Sequence, residues 1–208
     1  SKRLRARPPT KSSELLNMAS LDDLRAERIE KLNQLRIAGR DPYPITTTSD
    51  VNLNTLHARF ATLTKRRKPL TIAGRVMAIR HQGALVFVDL DDGTGRLQTL
   101  LKQDVVGEEG FALFVATIDR GDFITATGSA GLPKRRERTL FAVSWQPLAK
   151  AFRPLPAKWH GLTDIEERFR RRYLDSLMDD SVKQRFVTRS TIITAFREFL
   201  GDARYLEV

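Results

Sequence analysis

The sequence contains no cysteine, which excludes disulfides, thiolate metal sites and cysteine nucleophiles. Its three histidines, His57, His81 and His160, lie too far apart in the chain to suggest a histidine metal cluster. No apolar run approaches the ~20 residues that a membrane-spanning helix needs, and no signal peptide precedes the first charges. Gly93-Thr94-Gly95 is too short for a phosphate loop and no Gly-Lys-Ser/Thr follows it, so a tight turn is expected there. No serine stands in a nucleophile-elbow context. The acid pairs Asp91-Asp92 and Glu108-Glu109 read as solvated loop residues. The sequence therefore offers no catalytic constellation, and a soluble, cytoplasmic protein is the expectation.

Acidic residues are in deficit: 25 Asp+Glu face 36 Lys+Arg, giving a formal charge of +11 over 208 residues. A hydrophobic fraction of 41% is enough to bury a core, so wholesale disorder is excluded. The cations are clustered. Lys2, Arg3, Arg5, Arg7 and Lys11 stand near the start without an acid among them, and Lys65-Arg66-Arg67-Lys68, Lys134-Arg135-Arg136 and Arg170-Arg171-Arg172 follow. Any one of these could be a solvated face. Together they favour a polyanionic partner such as nucleic acid.

Residues 1–19 lack periodicity and read as a disordered basic arm. Ser20 and Asp23 form a capping pattern that opens a helix with Leu21, Leu24, Ile29, Leu32 and Leu35 on one stripe, and Gly39 supplies the stop. The remainder of 20–69 reads as a connector. Over 70–148 the period shifts toward two, with strands expected at Thr71–Arg80, Leu85–Leu90, Arg96–Leu101, Phe123–Ala130 and Thr139–Trp145. A helical spacing of Phe111, Phe114, Val115 and Ile118 separates the third from the fourth. This is the order of a five-stranded OB-fold barrel, whose strand 2–3 face binds oligonucleotides. Gly74 fits the bend the first strand must make. Residues 149–163, with Pro154 and Pro156, read as a linker. Thr163 and Glu166 suggest a cap for a helix carrying Ile165, Phe169 and Tyr173. A last helix over Ser181–Ala203 lines up Val182, Phe186, Ile193, Phe196 and Leu200, a stripe that nothing in the chain matches in size and that calls for a partner surface. The fold class is thus mainly β with flanking helices.

Within the Leu85–Leu101 hairpin, Val86, Val88 and Leu90 share one face and Leu85, Phe87 and Asp89 the other. The face bearing Asp89 is the worse core candidate, which places Phe87 outside. A turn at Asp91-Asp92-Gly93-Thr94 would set Asp89 opposite Arg96 and Phe87 opposite Gln98. An aromatic ring beside an amide is what an unstacked RNA base requires, and Arg80 at the end of the first strand could hold a phosphate or a base. The plainer alternatives are a core or isolated surface Phe87 and a water-facing Gln98.

The run Lys150-Ala151-Phe152-Arg153-Pro154-Leu155-Pro156-Ala157-Lys158-Trp159-His160-Gly161-Leu162 closely resembles the segment joining barrel and catalytic domain in class II lysyl-tRNA synthetases. Asp164, Glu167-Arg168, Arg172-Tyr173-Leu174-Asp175, Ala73-Gly74-Arg75-Val76-Met77, Phe87-Val88-Asp89-Leu90 and Gly95-Arg96-Leu97-Gln98 continue the likeness, which extends from about Arg28 to Val208. The resemblance implies a barrel that grips the uridine-rich anticodon of the tRNA for lysine. In it Phe87 would stack on the central uridine, Gln98 would hydrogen-bond that base, Arg80 would belong to the same site and Glu137 would help distinguish lysine anticodons. Arg136 stands where the family usually has a glycine. Arg204-Tyr205-Leu206-Glu207-Val208 resembles the middle of motif 1, with Arg204 replacing another usual glycine.

Residues 164–208 would then begin a class II catalytic domain, and the chain would be the N-terminal part of a longer synthetase. That enzyme would use ATP and magnesium to join lysine to tRNA; no cofactor and no catalysis are expected of these residues by themselves. Dimerisation through residues 181–208 is a further implication. The competing readings are an aspartyl- or asparaginyl-type synthetase piece, a self-contained OB-fold module that binds single strands without sequence choice, and a fused enzyme that passes lysine to a lipid.

Overall fold

A computed structural model describes residues 20–66, 68–133, 137–156 and 164–207 in two compact units, divided between Pro154 and Leu155. The basic arm, Arg67, Lys134-Arg135-Arg136, residues 157–163 with the expected Thr163 cap, and Val208 lie outside the described residues.

The first unit opens with helix α1, Leu21–Ile37. Ser20 Oγ accepts from the Asp23 amide at 3.1 Å while the Asp23 carboxylate accepts from the Ser20 amide at 3.1 Å, the reciprocal capping box expected there. These bonds, led by the Ser20 side chain, hold the Asp23 carboxyl below its ordinary value. Gly39 ends the helix with φ +70°. The buried stripe differs from the leucine pattern in one respect: Leu32 and Leu35 face the core, Leu21 and Ile29 are exposed, and Arg28 is buried. Its guanidinium donates to the carbonyls of Ala151 at 2.7 Å, Arg153 at 3.1 Å and Arg120 at 3.2 Å. A cation is tolerated on this face because carbonyls meet its N–H groups.

The connector contains two short helices that periodicity does not reveal, α2 (Leu53–Ala58) and α3 (Phe60–Arg66). Six and seven residues are too few for a 3.6-residue period to stand out. Both pack Leu53, Leu56 and Phe60 into the barrel core, so the connector and α1 belong to the same compact unit as the barrel.

Five strands follow: β1 (Leu70–Gln82), β2 (Leu85–Asp91), β3 (Arg96–Lys102), β4 (Phe123–Gly131) and β5 (Thr139–Ala149). Helices α4 (Gln103–Val106) and α5 (Glu108–Thr117) lie between β3 and β4. The strands close in the order β1-β2-β3-β5-β4, with β3 and β5 parallel and the other pairs antiparallel. This is the five-stranded OB barrel expected from the alternation. Two glycines permit its curvature. A Cβ on Gly74 would press on Leu90 Cβ at 3.2 Å, and one on Gly128 would overlap the carbonyl of Phe141, where the β4–β5 register shifts.

The hairpin register differs by two residues from the expectation. Asp91 opposes Arg96, Asp89 opposes Gln98, and Phe87 opposes Leu100. The cause is the turn. Asp92 takes the amides of Thr94 at 2.8 Å and Gly95 at 3.1 Å on one oxygen, and the Leu53 amide at 2.7 Å on the other. Burial pushes the Asp92 carboxyl up, yet these donors outweigh it and hold it below its ordinary value. The turn is thereby fixed at Asp92–Gly95, and Arg96 pairs with Asp91 at 2.8 Å instead of Asp89. A slip of two preserves the side-chain faces.

Inside the barrel, Phe114 meets Trp145 edge-on with ring centres 5.1 Å apart. Thr99 is fully buried, and its hydroxyl has no hydrogen-bond partner among the described residues. Thr99→Val, which keeps the shape and deletes the unpaired group, is expected to raise unfolding stability by about 1 kcal/mol in urea titration.

The second unit holds α6 (Ile165–Arg170), α7 (Arg172–Met178) and α8 (Asp180–Asp202). The spacing of Ile165, Phe169 and Tyr173 predicts one helix, but Arg171 leaves helical geometry at φ −120°, ψ 48° and divides it. The cap is Asp164, whose carboxylate accepts from the Glu166 amide at 2.8 Å. Asp175, buried, takes Arg168 and Arg172, each at 3.0 Å. On α8, Val182 is covered while Phe186, Ile193, Phe196 and Leu200 are exposed, as the unmatched stripe led us to expect. Beyond its end, Arg204 has φ +65°, a left-handed conformation that explains why a glycine suits this position better.

Candidate nucleic-acid interface

Alternation along β2 turns Val86, Val88 and Leu90 inward and leaves Phe87 and Asp89 on the outer face, half-buried. That face forms the floor of an open groove of about 680 Å³, walled by β1, β3, β5 and the chain on either side of residues 134–136. Arg80 from β1, Phe87 from β2, Gln98 from β3 and Glu137 from the segment before β5 all line it. The fold therefore brings the sequence-derived candidates into one concave site. Phe87 is flanked by Arg80 on β1 and Leu100 on β3, not by Gln98.

Arg80 and Asp89 form a two-pronged ion pair, with Nη1 donating to one carboxylate oxygen at 2.9 Å and Nη2 to the other at 3.0 Å. This hydrogen-bonded carboxylate raises the Arg80 pKa above its already high ordinary value, so the guanidinium stays charged. Gln98 is held at both ends of its amide. Its Nε2 donates to Glu137 Oε2 at 2.8 Å, and its Oε1 accepts from the Thr139 hydroxyl at 3.1 Å.

Strand alternation does not reveal Glu137, which the family resemblance supplies. Leu85 lines the groove too, as its place on the Phe87 face implies, whereas Gln82, Leu100, Lys102 and Phe141 escape a reading by motif. Lys102 shares the parity of Gln98 on β3, a signal the register alone could have used. Phe141 and Thr139 enter through the parallel β3–β5 pairing, which has no local sequence signature. Among the described lining residues two cations, Arg80 and Lys102, face two carboxylates, Asp89 and Glu137. A charge-balanced groove with an aromatic floor suits a base face and a base edge better than a phosphate alone.

The basic clusters behave differently from one another. Arg170, Arg171 and Arg172 pair with Glu166, Glu167 and Asp175, so that cluster is neutralised within its own helices. Lys134-Arg135-Arg136 sits in the sequence between Pro133 and Glu137, both of which line the groove. Among the described residues no helix is long and apolar enough to cross a membrane. No group of three His, Asp or Glu side chains that could hold a metal ion occurs among them either.

Residues 70–148 match the family described as the OB-fold nucleic acid binding domain of the tRNA anticodon type. The chain is 39% identical over 189 residues to the lysine–tRNA ligase of Roseiflexus sp. (strain RS-1), covering 90% of this chain and 39% of that protein. It is 38% identical over 202 residues to the lysine–tRNA ligase of Bacillus subtilis (95% and 40%), and 34% identical over 192 residues to that of Thermotoga maritima (90% and 38%). The chain spans about two fifths of the length of these relatives. By sequence, nine tenths of the chain is similar to about two fifths of these lysine–tRNA ligases, and its residues 70–148 close into the OB barrel that the family model describes.

Proposed function

We propose that the groove reads the uridine-rich anticodon of the tRNA for lysine. The observation that carries this reading is the convergence of Arg80, Phe87, Gln98 and Glu137, from separate elements, on one groove. Phe87 offers a ring face to an unstacked base, Gln98 a donor and an acceptor to its edge, and Glu137 holds the Gln98 amide while facing the same space. Arg80, already neutralised by Asp89, contributes a directional donor instead of bulk attraction. Non-specific affinity for the RNA backbone comes from the cation-rich stretches, Lys134-Arg135-Arg136 and the basic arm first among them.

The longer protein to which such a region belongs would join lysine to tRNA with ATP and magnesium, in the cytoplasm. Among the described residues no group of three His, Asp or Glu side chains could hold that magnesium. We further propose pairing with a second copy through residues 181–208, because Phe196 (65% exposed), Phe199 (71%) and Leu206 (90%) present an apolar face to solvent.

The test is binding of the chain to two anticodon stem-loops, one with UUU and one with GUC, at two salt concentrations. A preference for UUU of roughly tenfold is expected at both salts, the scale of one or two base-edge hydrogen bonds. Both affinities should fall together as salt rises. Equal binding that tracks salt alone would reduce the site to a sequence-indifferent single-strand binder.

A further inference from the structure

We infer that Thr139 is a positioning residue that helps hold the Gln98 amide in the sense set by Glu137, and so helps the groove tell uracil from cytosine. The inference rests on the reading of the groove as a uridine site. Thr139 is fully buried, opposes Gln98 across the parallel β3–β5 pairing, and is too deep to touch RNA.

A carboxamide has an oxygen that accepts and a nitrogen that donates, nearly the same in shape, and a half-turn exchanges them. One contact fixes the sense here and a second supports it. The Glu137 carboxylate can only accept, so the amide nitrogen must face it, at 2.8 Å. The amide oxygen then faces the Thr139 hydroxyl, at 3.1 Å. That hydroxyl has one proton and two acceptors in reach, Gln98 Oε1 and the Glu137 carbonyl at 3.0 Å. Were the proton given wholly to the carbonyl, two lone-pair-bearing oxygens would oppose each other beside Gln98; sharing or donating it to Oε1 relieves this. Gln98 is itself only 8% exposed, so water does not replace either partner readily.

One N–H and one lone pair of the amide remain for a ligand, in a fixed order. Along the edge formed by ring position 3 and its neighbour at position 4, uracil presents a donor and then an acceptor. Cytosine presents an acceptor and then a donor. An amide clamped in one sense pairs with one base and opposes the other; an amide free to turn accommodates both. Glu137 sets the sense, and the Thr139 hydroxyl, by donating to Oε1, holds the oxygen in place against rotation.

The experiment compares UUU and UCU stem-loops for the wild-type chain, Thr139→Val and Thr139→Ser. Thr139→Val, close in shape and lacking the hydroxyl, is expected to lower the UUU:UCU affinity ratio roughly fivefold, the scale of one neutral hydrogen bond. Thr139→Ser, which restores the hydroxyl, should recover the ratio. A merely structural role would weaken both loops equally and leave the ratio in place, which would overturn the inference. A wild-type chain that does not discriminate between the loops would overturn the uridine reading and this inference with it. Should Thr139→Val not fold, the wild-type chain decides by NMR. One Gln98 side-chain amide proton must be protected from exchange by Glu137, and that protection must weaken in Thr139→Ala, which lacks the hydroxyl, and persist in Thr139→Ser; equal protection in both overturns the inference. Two Gln98 protons exchanging at the rate of a free amide sink the clamp.

Discussion

Phe87→Ala is expected to weaken binding of a UUU anticodon loop by about 5- to 150-fold, corresponding to the ~1–3 kcal/mol of one base-on-ring stack. The factor should be the same at low and high salt. Stacking releases no counterions, whereas loss of a phosphate contact changes the slope of affinity against salt. The ring lies on the outer face between Arg80 and Leu100, while the inward face of β2 is filled by Val86, Val88 and Leu90, so the barrel keeps its core when the ring is removed. Thermal unfolding measured alongside should therefore move far less than affinity. An affinity loss that shrinks as salt rises, or a variant that binds normally, would show that the ring is not the platform and that Arg80 or Lys102 dominates instead.

That Phe87 and Gln98 line one groove was legible from alternation, because the face of a strand depends only on parity. Which residues stand side by side was not. Two adjacent aspartates, Asp91 and Asp92, compete to open the turn, and the choice is made by the Leu53 amide, distant in sequence and reachable only in the folded chain. The two-residue slip left both side chains on the groove and changed their neighbours, giving Arg80 to Asp89 and Arg96 to Asp91. The short helices holding Leu53 and Phe60 were hidden for a related reason, since each is stabilised by the barrel it covers. Arg28 defeated a hydrophobic stripe because carbonyls from three separate residues satisfy it, and no pattern within α1 encodes them. Glu137 and Thr139 show the limit most plainly. Their meaning lies in a parallel pairing between β3 and β5, elements separated by two helices and a strand.

Lys150 lies in the stretch that reads as the start of a linker, yet it anchors the barrel. Its side chain is 1% exposed and its ammonium donates to the Thr117 carbonyl at 2.6 Å, Asp119 at 2.6 Å and Asp122 at 2.7 Å, so all three donors are used. Asp122 is equally buried, and its other oxygen takes the Ala151 amide at 2.9 Å. Asp119 reaches across to Lys31 on α1 at 2.8 Å. This network joins the N-terminal helix, the turn before β4 and the end of β5. Lys150→Met, which preserves bulk and removes the charge, leaves the Asp122 carboxylate buried without its cation. It is expected to cost about 3–5 kcal/mol at pH 7 in urea unfolding.

The pH dependence separates this explanation from a simple packing defect. Burial pushes the Asp119 carboxyl up, but Lys150 and then Lys31 outweigh it and hold it below its ordinary value. A carboxyl with a depressed folded pKa contributes stability that is present above its unfolded pKa of ~3.9 and is lost as pH falls through the folded value. The wild-type chain should lose this contribution below about pH 4, whereas Lys150→Met has already lost Lys150's share of it. The gap between the two proteins should therefore be widest near neutrality and narrow toward pH 3. On the alkaline side, burial lowers the Lys31 pKa, but Asp119 and Glu27 more than reverse this and raise it. Its contribution is thus complete below its unfolded pKa of ~10.4 and is lost as pH rises through the folded value. A gap between wild type and Lys150→Met that stays constant from pH 7 to pH 3 would mean that lost packing, not the unpaired carboxylate, sets the cost.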